Sequence, residues 1–174
     1  MNHADHVQLL KNGGIVAGQI WADLGAGAGA FTLALAELLG ASGTIYAVDR
    51  DHAALRQQEP ELRARFPNIT ATYLTADFTA PLELPPLDGI VMANSLHFVR
   101  EQAALVRRVR GYLRPGGRLL LVEYNAERGN QWVPYPLTFA AWATLAAQCG
   151  FKETRQIGAR PSRFLGEIYS ALSV

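Results

Sequence analysis

The chain has 174 residues, 49% hydrophobic and 18% charged, with a formal net charge of +1. That length suits one domain burying about 70% of its unfolded surface; the composition excludes a disordered segment, and the near-neutral balance lacks the basic footprint that holds nucleic-acid phosphates. The lone cysteine, Cys149, excludes an internal disulfide and any multi-cysteine zinc or iron–sulfur site.

Met1 to Lys11 lacks the apolar core of a signal peptide, and no run of about 18 apolar residues follows. A soluble, cytoplasmic protein is expected, one domain over 1–174 with a lead at 1–14 and a core from 15. The lead shows a helical pattern through Val7, Leu9 and Leu10 until Gly13-Gly14 breaks it. Ile20 to Leu24 reads as a first strand, and Gly25-Ala-Gly-Ala-Gly29 turns the chain into a helix from Phe31 to Leu39. That helix is apolar on almost every face and must be buried against a sheet. Thr44 to Asp49 is a second strand, β-branched and aromatic. Asp51 caps a helix running towards Phe66, with Pro60 expected to break or restart it. A third strand, Ile69 to Thr75, ends at Ala76-Asp77-Phe78. A proline-rich connection then leads to a fourth, Gly89 to Ala93, with Asn94, Ser95 and His97 in the loop beyond.

Glu101 to Leu113 is an amphipathic helix, with Leu105, Val109, Tyr112 and Leu113 in one stripe and Arg107, Arg108 and Arg110 on a solvated face. Pro115-Gly116-Gly117 reads as a turn into a fifth strand, Arg118 to Glu123, whose Leu-Leu-Leu-Val run implies burial on both faces. A loop from Tyr124 to Pro136 carries Trp132 and Tyr135, and a helix from Thr138 to Cys149 stops at Gly150. Phe151 to Ile157 and Phe164 to Leu172 are the last strands. Gly158 to Arg163 between them is too short for a parallel crossover, which takes about a dozen residues, so the neighbouring strands there pair antiparallel. The expected fold class is α/β: a doubly wound, Rossmann-like seven-stranded mixed sheet with helices on both faces and an antiparallel C-terminal hairpin. Ligands of such sheets bind outside the carboxyl ends of the strands, where Asp23, Asp49 and Asp77 fall.

Gly25, Gly27 and Ala30, with Asp49 about 20 residues on, satisfy a dinucleotide fingerprint, so an NAD(P)-dependent oxidoreductase stays open. Asp23 argues against it: its charge would repel a pyrophosphate and attract an ammonium. Taken together, Asp23-Leu-Gly-Ala-Gly-Ala-Gly29, Asp49, Ala76-Asp77-Phe78 and Leu113-Arg-Pro-Gly-Gly117 resemble the class I S-adenosylmethionine-dependent methyltransferases of the minimal type-11 or type-25 kind, from about Gly14 to the end. The resemblance implies S-adenosylmethionine as cofactor, with Gly25, Gly27 and Gly29 lining its methionine and ribose moieties and Asp23 orienting the amino group. It further implies that Asp49 accepts both ribose hydroxyls, that Arg50 flanks ribose or adenine, that Asp77 accepts from the adenine amino group beside Phe78, and that Asn94 touches the methionine portion. An ionised Asp49 has acceptor oxygens for two hydroxyls.

Methyl transfer depends on alignment, and a base is needed only where the acceptor must lose a proton. His97 is the candidate base, with Glu123 and Tyr124 on the same rim. Tyr135 and Trp132 are read as an acceptor wall or as cover for the sulfonium, against the plainer reading that loop aromatics anchor their loop. Tyr124 and Tyr135 stand with His97 as catalytic candidates. His3, Asp5 and His6 supply too few fixed ligands for a metal. The rim sequence Ala93-Asn94-Ser95 lacks the acidic ligands of metal-assisted catechol-type enzymes and the Asn/Asp-Pro-Pro-Tyr motif of nucleic-acid amino-methyltransferases. No Pro-Cys nucleophile is present, and one cysteine argues against an arsenite-type enzyme. The expectation is a metal-independent enzyme acting on a small-molecule acceptor, with no nucleic-acid or membrane partner. A homodimer and a non-catalytic cofactor-binding module are left open.

Overall fold

Five strands run parallel: β1 (Ile20–Leu24), β2 (Gly43–Asp49), β3 (Ile69–Thr75), β4 (Leu87–Ala93) and β5 (Leu113–Tyr124). Two more, β6 (Thr154–Ser162) and β7 (Gly166–Ser173), close one edge antiparallel. The structure is a computed structural model that describes residues 1–174. Across the sheet the order is β3-β2-β1-β4-β5-β7-β6, so the direction of winding reverses between β1 and β4 and opens a crevice at their carboxyl ends.

Helices cover both faces. On one, α1 (His3–Leu10), α2 (Ala30–Leu39) and α3 (His52–Arg65) pack on Trp21, Ile45, Ala47, Val91 and Leu120. On the other, α4 (Gln102–Arg110) and α5 (Phe139–Gln148) pack on Leu24, Ile90, Met92, Leu119 and Leu121. Leu119 to Val122 are wholly buried, as the unbroken apolar run requires of a strand sealed on both faces. Asn2 and Asp5 form a reciprocal capping box on α1. Asp5 pairs with Arg160 of β6 and His3 with Glu37 of α2, while Leu9 and Leu10 are buried, so residues 3–10 belong to the packed body.

Several boundaries differ from expectation. α3 runs unbroken through Pro60, because the Arg56 carbonyl that loses its partner lies on an exposed face where solvent satisfies it. The amphipathic stripe of α4 stops at Gly111, and Leu113 enters the sheet opposite Leu87. Gly89 next faces Arg118, so Arg114 to Gly117 bulge out within β5 around Gly116 at φ +78° rather than forming a turn before it. β6 extends to Ser162 and leaves Arg163 to Leu165 as the hairpin link. An exposed edge strand needs no apolar alternation, which is why its second half reads as loop.

Gly89 sits directly under the Trp21 ring, where a Cβ would overlap buried aromatic carbon. Gly89→Ala is expected to lower stability by about 1–3 kcal/mol, read as a reduced urea midpoint with an unchanged slope.

Candidate active site

After β1 the backbone takes left-handed dihedrals at Gly25, Gly27 and Gly29 (φ +84°, +52° and +90°), a region costing other residues about 1–2 kcal/mol. The three have different neighbours. A Cβ on Gly25 would lie 2.5 Å from that of Ser95, one on Gly27 would meet nothing within 4 Å, and one on Gly29 would lie 2.5 Å from that of Gln58. Gly25 thus admits the β4 loop, and Gly27 leaves room for a ligand. Gly29, expected to line the cofactor, instead caps α2 and packs against α3. The Gly27 N–H donates to Asp49 Oδ2 at 2.8 Å, and Gln58 Nε2 donates to the Gly27 carbonyl at 2.9 Å.

The crevice has two lobes that meet at Gly25 and Asn94. One, of about 370 Å³, is lined by Gly27, Asp49, Arg50, Asp77, Phe78 and Phe98. Asp49 receives the Gly27 N–H on one oxygen and the Asp51 N–H on the other at 2.9 Å, leaving lone pairs on both for a diol. Asp77 Oδ1 accepts from the Thr79 hydroxyl at 2.7 Å and from its N–H at 2.8 Å, which holds the carboxyl below its ordinary pKa and leaves Oδ2 free. The other lobe, of about 400 Å³, is lined by Asp23 and Phe31 together with His3 and His6 of α1. Asp23 is only 1% exposed and accepts from Thr32 Oγ1 at 2.7 Å. Burial pushes its pKa up to about 7, against the Thr32 bond and aided by the charge of Asp49. Asn94, at φ +52°, holds a buried Oδ1 with no partner. A buried carboxyl short of partners and an orphaned carbonyl oxygen suit an ammonium donor and oppose a phosphate. The residues present fit the diol and the amino-acid tail of S-adenosylmethionine.

Beyond β4, His97 is 3% exposed and its Nδ1 lies 2.7 Å from Glu123 Oε2, while its backbone N–H donates to Oε1 at 3.1 Å. A carboxylate partner only accepts, so in the neutral ring the tautomer matched to Glu123 has its hydrogen on Nδ1 and its lone pair on Nε2. The sheet register, Ala93 opposite Val122, brings the ends of β4 and β5 together and makes this pair. Tyr124 stands with its ring 6.2 Å from His97, and burial, then the charge of Glu123, raises its pKa. Tyr135 reaches His97 through its backbone, N–H to carbonyl at 3.0 Å, with its side chain exposed. Trp132 is also exposed; Val133 and Leu137 are buried and anchor the loop in its place. Sequence reasoning missed Gln58 and Thr32, and it placed Glu123 on the rim without pairing it to His97.

Fold and crevice together define a class I S-adenosylmethionine-binding domain. The chain belongs to the methyltransferase-domain family, whose sequence profile matches residues 22–119. It is 40% identical over 112 residues to acetylserotonin O-methyltransferase of Mus musculus, covering 58% of this chain and 27% of that one. It is 30% identical over 113 residues to the ubiquinone/menaquinone biosynthesis C-methyltransferase UbiE of Yersinia enterocolitica, covering 64% and 45%. The chain therefore spans between a quarter and a half of the length of these curated relatives. A SAM-dependent methyltransferase from Aquifex aeolicus shares the fold at TM-score 0.73 and 19% identity, over 97% of this chain and 88% of that one. No helix is long and apolar enough to cross a membrane.

An unfolded aspartate holds its proton only to about pH 3.8, whereas folded Asp23 holds it to about 7. The folded state binds more protons in that window, so stability without ligand falls as pH rises through it, by up to about 1.4 kcal/mol per pH unit, and levels off above. Asp23→Asn, which can still accept from Thr32, is expected to flatten this fall in urea midpoints measured across the window.

Proposed function

We propose that this domain methylates a small-molecule acceptor without a metal ion, using His97 as general base. The observation that carries the reading is the buried His97–Glu123 pair in the turn between Ser95 and Phe98, both of which line the nucleoside lobe. When bound, S-adenosylmethionine would supply a methyl group activated on a sulfonium. Asp49 would accept the two ribose hydroxyls, Arg50 would flank ribose or adenine, and Asp77 would accept from the adenine amino group beside Phe78. Asp23 and Asn94 hold the ammonium, and Gly25 and Gly27 let the ligand lie against the backbone. Nε2 of His97 takes the acceptor proton, and Glu123 keeps the tautomer and stabilises the imidazolium that results. Tyr124 stands beside the imidazole and Tyr135 is tied to His97 by its backbone, and the raised pKa of Tyr124 keeps its phenol neutral.

The metal-free reading rests on the β4 rim, where Asn94 supplies a neutral amide and the Ser95 hydroxyl already donates to the Leu24 carbonyl at 2.8 Å. The small-molecule reading is supported by the relatives whose names specify acetylserotonin and quinone biosynthesis. A cytoplasmic setting fits the single cysteine, buried at Cys149.

Asp49→Ala removes an ionised acceptor and is expected to weaken S-adenosylhomocysteine binding roughly 10–100-fold by calorimetry. His97→Ala is expected to leave that binding nearly intact. Equal losses in the two variants would contradict the division between cofactor binding and proton transfer. In an acceptor screen that reads S-adenosylhomocysteine release, His97→Gln is expected to lower turnover by about 10²–10⁴-fold.

A further inference from the structure

We infer that the acceptor is a flat aromatic ring system bearing an acidic hydroxyl, seated on a row of rings that runs from the nucleoside lobe to the tip of the β6–β7 hairpin. This rests on the reading of His97 as base.

The row is continuous. Phe98 lines the nucleoside lobe, and its ring lies 4.3 Å from that of His97. His97 is 6.2 Å from Tyr124, and Tyr124 meets Phe164 edge to face at 5.7 Å. Phe98, Trp132, Tyr135 and Phe164 are 60%, 65%, 42% and 49% exposed, and they are the aromatic residues among the exposed large hydrophobics. Phe98 and Phe164 stand at the two ends of the row, while Tyr135 belongs to the loop whose backbone bonds the His97 carbonyl and Trp132 lies three residues before it in that loop. Exposed rings at both ends of a contiguous aromatic row mark a binding surface, and rings bind flat rings by offset or edge-on contact.

The proton chemistry selects the hydroxyl. An imidazole base is matched to a phenol, whose reference pKa is about 10, far better than to an alcohol near the value of water, about 16. The phenolic proton passes to Nε2 of His97, the oxygen bonds to the methyl carbon, the sulfur–carbon pair goes to sulfur, and the proton then leaves to solvent. The products are the aryl methyl ether, S-adenosylhomocysteine and one proton.

The test titrates 2-naphthol, with cyclohexanol as an apolar non-aromatic control, into the full chain saturated with S-adenosylhomocysteine, and reads aromatic side-chain NMR signals. The expected result is saturable shifts at Phe98, Tyr124 and Phe164 with 2-naphthol and none with cyclohexanol. Phe164→Leu with Trp132→Leu keeps apolar area but removes rings, and is expected to weaken 2-naphthol binding about tenfold without changing S-adenosylhomocysteine affinity. Equal response to both probes, or no ring shifts with 2-naphthol, overturns the inference and leaves the cofactor site standing. A dimer in sedimentation that Phe164→Ser converts to monomer also overturns it, since the rings would then be a contact between copies. Failure to bind S-adenosylhomocysteine at all would instead bring down the reading of the site on which the inference rests.

Discussion

A turn built of glycines has no side chains with which to hold its own shape, so the crevice depends on what grips Gly27 from outside. Asp49, at the end of β2, takes its N–H, and Gln58, from α3, donates to its carbonyl. The two grips hold the successive peptide units on either side of the Gly27 Cα; Asp49 arrives at the end of β2, which is paired with both β1 and β3, and Gln58 on α3, which packs against that sheet. Gln58 meets this need at a cost. Its Nε2 must face Gly27, which turns Oε1 into a buried position without a partner, a loss of about 1–3 kcal/mol. Asp49 has the opposite economy: each oxygen has one backbone donor and retains a further lone pair, so one carboxylate can brace the loop and face a ligand together.

The buried carboxyls Asp23 and Glu123 receive different treatment from the protein. Asp23 has one hydroxyl donor and no cation, and its burial brings its pKa to about 7. Glu123 has a backbone N–H and an imidazole ring, each on a separate oxygen. A group left short of partners responds to an incoming cation, whereas a group with both oxygens engaged holds its partner in one geometry. One carboxyl is thereby suited to receiving a charged ligand tail and the other to keeping a ring in place. They lie on opposite faces of the sheet, Asp23 towards α2 and Glu123 towards Tyr169, which keeps the two charges apart.

Much of the cofactor side was legible in the sequence because local signals carry it. An apolar run closed by Asp23 and glycines, or a β-branched run closed by Asp49, needs no long-range information, and β1 and β3 fall on the expected residues. What was hidden depends on tertiary context. Leu113 satisfies a helical stripe and a strand equally, and only its pairing with Leu87 decides. Pro60 breaks a helix only where its orphaned carbonyl is shielded from solvent. Gln58 sits in a polar helix among residues of similar type, and its contact with Gly29 leaves no trace in periodicity. Glu123 was visible as an acidic residue ending the most apolar run in the chain, but its partner lies 26 residues away and is reached only through the β4–β5 register.

The same division separates the two sides of the reaction. The residues proposed to hold the cofactor stand at the ends of β1, β2, β3 and β4, whose positions the hydrogen-bonded register sets. Those proposed to face the acceptor stand on a loop, a hairpin link and a short turn, tied in by few bonds: the Tyr135 N–H to the His97 carbonyl, and Gln102 Nε2 to the Tyr135 carbonyl at 2.9 Å. Within the loop, aliphatic Val133 and Leu137 are buried while Trp132 and Tyr135 are exposed, the reverse of what packing alone would favour for the larger side chains. Anchoring is met by the smaller residues, so the rings are free of that duty, and packing of the fold does not account for their exposure.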